Sequence, residues 1–388
     1  MEYSTPIIIM VCLFALIPLL VAVWNSIYLT TPKSSFGKGH YDESGLSVSV
    51  LIPARNEAKN IEKVLKALRF QGYSNYEVIV LNDRSEDCTA ALVRPFADSD
   101  FSVRLIEGEE PPHGWIGKNW ACHQLSLEAK GDYLLFIDAD TVLHKDAIRM
   151  AVRQATMENS DLLTMIPSRC ANNFVERSIY GFIDWAIYAW LPLALAHKST
   201  NSYLSASYGQ FMLFKKESYI LTGGHKKIKD IAVDDFGLGR LIKSSGLQWN
   251  LKDGTNIVTT LPYSSLWETV RGVSRSLAPA LDYRVSLIFL ISLGLIVLFC
   301  IPVVYIFLGF IEDDYFGHLS ILSFGAILPL MLSYFMTCKK FSHSLMILPL
   351  MHLTVVFMIM IAYHSLFSNL FKFATWKERN MVIRKIKF

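Results

Sequence analysis

The stretch that decides the fold is LSVSVLIPARNE, residues 46–57. Its first part, residues 46–53, is rich in β-branched and apolar residues and ends at a proline, which predicts a buried strand. We expect Asn56 to cap a helix that continues to about Gln71, because Ile61, Val64, Leu65 and Leu68 share one face. A strand followed at once by an amphipathic helix is the start of a parallel α/β sheet.

The alternation of strands and helices continues along the chain. Strands are predicted at residues 76–81, 101–106 and 133–137, and a helix at residues 118–130. The sequence therefore predicts an α/β fold with a doubly wound, mostly parallel sheet. Ligands of such sheets bind at the carboxyl ends of the strands, where polar residues follow the predicted strands here.

Composition limits the class of protein. The 388 residues are 52% hydrophobic with a mean hydropathy of +0.33, yet the apolar excess is confined to residues 6–24 and 286–371. This excludes a plain cytosolic enzyme, and the roughly 250 residues between exclude a purely transmembrane carrier. A net charge of +3 without a dense basic run argues against a nucleic-acid partner. The six cysteines form no CxxC pair, which argues against a zinc site.

Four apolar stretches are candidate membrane spans: residues 6–24, 286–310, 319–336 and 344–370. The first is predicted to be an uncleaved anchor, since no Lys or Arg precedes it and no signal-peptide cleavage site follows. The predicted organisation is an anchor at 1–30, a cytoplasmic domain at 40–285, a membrane block at 286–371 and a basic tail at 372–388.

Loop charges predict the orientation but leave one conflict. The loop at 312–314 is acidic and the next carries Lys339 and Lys340, so the central domain is expected to be cytoplasmic and the protein multi-pass in the cell membrane. Four full crossings would leave the basic tail outside. Either the last apolar stretch does not span simply, or the number of spans is wrong by one.

Asp138-Ala139-Asp140 directly follows a predicted buried strand. Two carboxylates at this spacing can share a divalent cation, and hard oxygen ligands suit Mg or Mn. Alternatively, one carboxylate holds the cation and the other a sugar hydroxyl. A strand-end turn, in which Asp is simply favoured, explains the same residues without a ligand.

Two further acidic motifs have a structural alternative. Asp83 follows the second strand and could accept a hydrogen bond from a base such as uracil, while Ser85 or Asp87 could simply cap the next helix. Asp234 and Asp235 begin a predicted helix, where the helix dipole favours acids. Either could instead take a proton from an attacking hydroxyl.

Three other segments combine charge with aromatic residues. Residues 113–120 (HGWIGKNW) precede a helix, and their glycines and Lys118 could cradle an anion. Residues 266–277 place Arg271 and Arg275 on one face of a helix that either lies on lipid head groups or reaches a diphosphate. Residues 176–197 are predicted to form a buried helix, or an acceptor platform at the membrane.

As a set, these motifs resemble the family 2 glycosyltransferases with the GT-A fold. The resemblance extends over about residues 46–285 and is carried by LIPARNE (51–57), VLNDRSEDCT (80–89), IDAD (137–140), YGQFMLFKKESYILTGGH (208–225) and VDDFGLGRLI (233–242). Residues 114–124, the GGH turn and TWKER (375–379) are similar to a membrane-bound branch that includes carotenoid and hopanoid-associated glycosyltransferases.

The resemblance implies roles for individual residues. Asp83 would read the uracil, Asp140 would bind the metal, and Asp138 would lie nearby on the ribose or sugar, while also being a candidate metal ligand. Asp235 would be the catalytic base beside Asp234, which stands where the family usually has Glu. The remaining donor-binding residues implied or predicted are Lys118, Arg275, Glu57 and Arg55.

The expected activity is inverting transfer of one sugar, the family's commonest being glucose, from a UDP-sugar to a lipidic acceptor such as a carotenoid carboxylate or hydroxyl. The expected cofactor is Mg or Mn. Of the QxxRW motif of processive members only Arg275 is kept, which favours single transfer over polymer synthesis. The alternatives are a polyprenyl-phosphate, glycolipid or polysaccharide sugar transferase, and a non-catalytic membrane scaffold.

Overall fold

The computed structural model describes residues 4–33, 45–99, 102–311 and 317–371, together with 373, 375–376, 379–380 and 386–387. An apolar helix, α1 (Ser4–Tyr28), precedes the sheet. The first half of the globular domain then alternates strands and helices, in the order β1 (Val48–Ala54), α2 (Ile61–Arg69), β2 (Tyr76–Asn82), α3 (Thr89–Ser99), β3 (Val103–Glu107), α4 (Gly117–Glu128) and β4 (Tyr133–Phe136).

The second half of the domain departs from simple alternation. Its elements are β5 (Thr141–Leu143), α5 (Ala147–Met157), β6 (Leu162–Arg169), α6 (Phe174–Tyr188), α7 (Leu193–Lys198), β7 (Met212–Lys215), α8 (Lys216–Thr222), α9 (Gly224–Lys227), α10 (Asp234–Ser244) and β8 (Trp249–Thr260). The last part of the chain contains α11 (Leu266–Ala280), α12 (Val285–Ile311), α13 (His318–Lys340), a 3₁₀ turn (Leu345–Leu350), α14 (Met351–Leu370), β9 (Thr375–Trp376) and β10 (Arg379–Asn380).

The eight-stranded sheet has the order β3-β2-β1-β4-β7-β6-β8-β5. The strands β3, β2, β1 and β4 are parallel, as the sequence predicts, with Val48 opposite both Tyr76 and Tyr133. The strand β7 runs antiparallel to both of its neighbours, and β5 runs antiparallel to β8. The sheet is therefore parallel in its first half and mixed in its second, and the first half brings the ends of β1, β2 and β4 to one edge.

Two helix predictions are wrong in detail. The helix α2 begins at Ile61 rather than near Asn56, because Asn56 takes a left-handed conformation (φ 51°) and turns the chain across the end of β1. The aromatic segment at 176–197 forms two helices, α6 and α7, with Pro192 between them. Proline removes a backbone donor that a continuous helix would need.

Four segments are long and apolar enough to cross a membrane: Thr5–Tyr28, Val285–Gly309, His318–Lys340 and Leu345–Leu370. The predicted acidic loop at 312–314 lies outside the described residues, as does most of the basic tail. Each of these segments exposes large apolar side chains, such as Leu20, Phe307 and Leu353. Lipid would cover such surface in a membrane protein.

The last apolar segment begins and ends against the globular domain. Before it, the Lys340 ammonium at the end of α13 pairs with Asp253 on β8 at 3.0 Å, and His343 contacts Asp184 of α6 at 2.8 Å. At its other end, Ser365 accepts a hydrogen bond from the amide of Ala278 on α11. Further along, Lys387 exchanges backbone hydrogen bonds with the turn before α12. Both ends of this segment therefore lie on the side of the membrane block that faces the domain.

Helix α6 joins the domain to the apolar helices. Trp185, which is 1% exposed, donates its indole hydrogen to Ser333 on α13 at 2.9 Å. Asn25, near the end of α1, binds the carbonyls of Tyr188 and Leu191 and the amide of Leu193. The segment predicted to be either a buried helix or a membrane-side platform is thus buried and also in contact with the membrane block.

Candidate active site

Two cavities meet where β4 ends. The larger, about 860 Å³, is the polar cavity, and its charged lining residues are Arg55, Glu57, Lys59, Asp87, Lys118, Asp138, Asp140, Glu268, Arg271 and Arg275. The smaller, about 280 Å³, is the apolar cavity, with a wall of Ile183, Ile187, Val273, Leu277 and Ala280. Asp138, Asp140 and Tyr263 line both. The paired acids predicted at the strand end therefore form the boundary between two different environments.

Lys118, at the start of α4, connects two carboxylates. Its ammonium lies 2.9 Å from Asp138 Oδ1 and 3.2 Å from Asp234 Oδ2. Burial alone would lower the pKa of Lys118, but Asp138 and Asp234 raise it well above its usual value, so the side chain stays charged. The cation that the sequence predicted as part of an anion cradle thus also holds two acids in place.

Asp234 is held as a carboxylate. Burial by itself would raise the pKa of Asp234, but Lys118 and His225 keep it well below its ordinary range. The His225 Nε2 atom lies 3.9 Å from Asp234 Oδ2, and its Nδ1 is 2.8 Å from the Tyr219 hydroxyl. Asp234 lines neither cavity. Asp234 therefore acts on the site indirectly, by holding Lys118 and His225 in position.

Asp235 faces the apolar cavity and has the opposite electrostatic character. Its Oδ2 accepts a hydrogen bond from the Gly209 amide (3.0 Å) and its Oδ1 from the Phe236 amide (2.7 Å). Burial, followed by the charge of Asp234, raises the pKa of Asp235 to about 7. Because a general acid or base works best when its pKa is near the operating pH, Asp235 is poised to exchange a proton at neutral pH.

Gly209 explains how these groups come together. A Cβ at this position would lie 3.4 Å from the Lys118 ammonium and 3.5 Å from Asp235 Oδ2. The backbone of the YGQ turn (residues 208–210) therefore packs closely against the side chains of Lys118 and Asp235. From the other side, the Asn119 amide binds the carbonyls of Ile228 and Ile231 and fixes the loop that precedes Asp234.

The other residues predicted to bind the donor differ in whether they line a cavity. Glu57 and Arg275 line the polar cavity. Arg55 also lines it, but its guanidinium binds the carbonyls of Asp83 and Arg84 and pairs with Glu86 at 3.0 Å, so it orders the turn after β2. Asp83 is buried (2% exposed) and lines neither cavity.

The DxD motif suits a divalent cation by its donor set. Asp138 and Asp140 offer hard carboxylate oxygens on one cavity wall, and Lys118 and Arg275 line the same cavity. Within the described residues, a second group of potential ligands is Cys122, His225 and Asp234. Burial raises the pKa of the Cys122 thiol and so disfavours the thiolate that a metal ion needs, which makes this second group poorly suited to a cation.

Sequence reasoning missed the residues that complete the apolar cavity. Arg169, at the end of β6, pairs with Asp184 at 2.6 Å, and its guanidinium lies 5.3 Å from the centre of the Tyr208 ring. Tyr263, which lies between the two cavities, comes from the loop after β8. No local motif marks Arg169. The signal for Tyr208 was its place in the YGQ motif.

Comparison with known proteins agrees with this architecture. Residues 49–220 match the sequence model of Glycosyl transferase family 2. A 4,4'-diaponeurosporenoate glycosyltransferase of Staphylococcus haemolyticus is 29% identical over 247 residues, which cover 63% of this chain and 64% of that protein. The Staphylococcus aureus protein of the same name is 29% identical over 58% of this chain and 59% of its own length. The match thus spans less than two thirds of these relatives.

The fold also has a solved counterpart. A mannosyltransferase of Pyrobaculum calidifontis, solved with GDP-Man and Mn2+, superposes with a TM-score of 0.56 over 97% of this chain and 100% of that one, at 16% identity. The predicted GT-A fold is confirmed. Residues 49–220 are thus similar to family 2 glycosyltransferases and lie on a GT-A sheet, and the named relatives are glycosyltransferases.

Proposed function

We propose that this protein is a membrane-bound, inverting glycosyltransferase that moves one sugar from a nucleotide sugar to a lipidic acceptor. The observation that carries the proposal is the meeting of a charged cavity and an apolar cavity at Asp138 and Asp140, with Asp235 facing the apolar one. The family of the domain and the names of its relatives support the reaction class.

The polar cavity suits the donor. Lys118 and Arg275 can bind the diphosphate, since cations at a cavity wall form charge-assisted hydrogen bonds with phosphate oxygens. The predicted donor is a UDP-sugar. A mannosyltransferase of the same fold was solved with GDP-Man, so the choice of base and of sugar in the donor is itself part of the proposal.

Asp140 and Asp138 would hold a Mg or Mn ion. When bound, such an ion would stabilise the negative charge that develops on the departing diphosphate. Side chains of the protein position the other groups. Lys118 keeps Asp138 and Asp234 in place, and Tyr263 separates donor from acceptor.

The transfer is a single displacement. An acceptor oxygen attacks the anomeric carbon, the bond from that carbon to the diphosphate breaks, and the nucleoside diphosphate leaves with the electron pair. If the acceptor is a hydroxyl, Asp235 takes its proton; if it is a carboxylate, no proton moves. With a pKa of about 7, Asp235 is an effective base only as the pH rises through neutrality.

We further propose three full crossings, α1, α12 and α13, followed by a re-entrant segment. The contacts of Lys340 with Asp253 and of Ser365 with Ala278 support this, because one globular domain cannot lie on both sides of a bilayer. The basic loop and the basic tail are then on the same side as the domain, which the positive-inside rule makes cytoplasmic.

Protease digestion of right-side-out vesicles tests this topology. A tag on the N-terminus should be cleaved, and a tag on the C-terminus should be protected until the membrane is permeabilised. Cleavage of both tags in sealed vesicles would contradict it.

The activity is tested by mass spectrometry of lipid extracts from cells with and without the gene, and of purified protein incubated with UDP-sugars or GDP-sugars and those lipids. A lipid heavier by one hexose, lost with Asp140→Ala and in excess EDTA, is expected. No sugar transfer to any lipid and no nucleotide release would contradict the proposal and favour a scaffold. Unchanged activity of Asp140→Ala, or in EDTA, would overturn the metal assignment alone.

A further inference from the structure

The apolar cavity lies between two helices that continue into the membrane block. Ile183 and Ile187 come from α6, which packs on α13 and α14, while Val273 and Leu277 come from α11, which leads into α12. A cavity wall of aliphatic side chains at this position favours hydrocarbon over water.

The same cavity has a cationic corner. The Arg169 guanidinium, with 12% of its side chain exposed, lies between the rings of Tyr180 (5.7 Å) and Tyr208 (5.3 Å). It gives one hydrogen bond to Asp184 Oδ1, whose other oxygen is bound by His343. Guanidinium has five N–H donors in a planar fork that matches carboxylate and phosphate. Donor capacity therefore remains for a ligand.

The wall of the same cavity also contains a buried polar atom without a hydrogen-bond partner among the described residues. The hydroxyl oxygen of Thr260, at the end of β8, is buried and has no hydrogen-bond partner among the described residues. Buried polar atoms are nearly always paired in folded proteins, by protein, water or ligand. Thr260 and Arg169 thus both offer hydrogen bonds to an occupant of this cavity.

We infer that the apolar cavity is the acceptor site, with the lipid chain between α6 and α11 and an anionic head group, a carboxylate or a phosphate, on Arg169. This rests on the proposed function. Asp235 and Asp140 line the same cavity, so a head group held there lies beside the donor's reacting carbon. One anionic oxygen forms the new bond to the sugar, the diphosphate leaves with its electron pair, and no proton is transferred.

Photolabelling of the full-length protein in lipid nanodiscs tests this without any donor. The probe is hexadecanoic acid carrying a diazirine near its tail. Labelled peptides are expected from residues 174–188 and 266–280. Unlabelled hexadecanoic acid or hexadecyl phosphate should compete at least tenfold better than hexadecan-1-ol, and the better of the two anions identifies the head group. Labelling confined to the exposed faces of α12, or equal competition by the alcohol, would overturn the inference.

Four variants sharpen the test. Leu277→Trp fills the cavity without touching a charged pair and should reduce labelling at least tenfold, whereas Leu127→Trp, on the exposed face of α4, should leave it unchanged. Arg169→Gln should abolish the preference for the acid over the alcohol, and Arg169→Lys should restore part of it. Wild-type labelling in Leu277→Trp would contradict the site even if Arg169→Gln fails to fold.

The two proposals fail in different ways. Specific labelling without transfer of any sugar would leave the lipid site standing and remove the proposed activity. Transfer of sugar to a lipid without labelling of α6 and α11 would do the reverse.

Discussion

The two cavities differ in how they are built. The polar cavity joins strand ends and the loops after them to the polar face of α11, and its charges are held by pairs such as Lys118 with Asp138. The apolar cavity shares Asp138, Asp140 and Tyr263 with it, but its aliphatic wall comes from faces of α6 and α11, two helices that also contact the membrane block. If the proposed function holds, the difference teaches that the strand ends of this sheet would supply the donor chemistry, while α6 and α11 would give a lipid access to it.

The largest effect should come from Asp235, which belongs to the apolar side. Asp235→Asn cannot accept a proton, so transfer to a hydroxyl acceptor should fall by about 10²–10⁴-fold, a range typical of general-base loss. Transfer to a carboxylate should fall much less. Initial rates with a hydroxyl and a carboxyl lipid of equal chain length make the comparison, and equal losses on both would remove the distinction.

A smaller effect is expected on the polar side. Asp140→Asn removes an anionic oxygen from the predicted cation site, so the Mn2+-dependent affinity for nucleoside diphosphate should weaken about 10–100-fold, as for other metal-site mutations. Affinity measured in EDTA should be the same for the variant and the wild type. If the variant also weakens binding without a cation, Asp140 acts directly on the nucleotide or on the fold.

The raised pKa of Asp235 also predicts a dependence of stability on pH. The carboxyl binds its proton more tightly when folded (pKa about 7) than when unfolded (about 3.9), so folding loses stability as pH rises from about 4 to about 7 and loses no more above that. The Asp235→Asn variant has no carboxyl here and does not lose stability in this way as the pH rises. Its Tm minus that of the wild type should increase from pH 4.5 to 7.5 and then level off; a flat difference would contradict the raised pKa.

The smallest effect concerns Gly209. A Cβ there is tight but not overlapping with Lys118 and Asp235, so Gly209→Ala should lower kcat only a few-fold, and Gly209→Val should lower it more. Steady-state kinetics on both variants measure this. Gly45, whose Cβ would meet nothing within 4 Å and whose φ, like that of Gly209, is not positive, serves as the control through Gly45→Ala, which should leave kcat unchanged.

The sequence predicted the parallel half of the sheet because buried strands such as β1 and β2 are short apolar runs with clear ends. It also singled out Asp138, Asp140 and Asp235, since each stands directly at an element boundary, and all three line a cavity, while their roles stay predictions. It did not predict Arg169 or Tyr263, because their partners are distant in the chain and no local pattern records a contact across helices. Hydropathy likewise could not show that both ends of the segment at 345–370 lie near contacts with the globular domain, since composition carries no direction.

The most direct test of whether donor and acceptor bind in separate cavities is a titration of UDP and GDP, with Mn2+, into the purified wild type, Asp235→Asn and Asp140→Asn. We predict that Asp235→Asn binds the preferred nucleotide within about twofold of the wild type, because Asp235 faces the apolar cavity, and that Asp140→Asn binds it at least tenfold more weakly. Equal weakening in both variants, or in neither, would contradict the assignment of donor and acceptor to separate cavities.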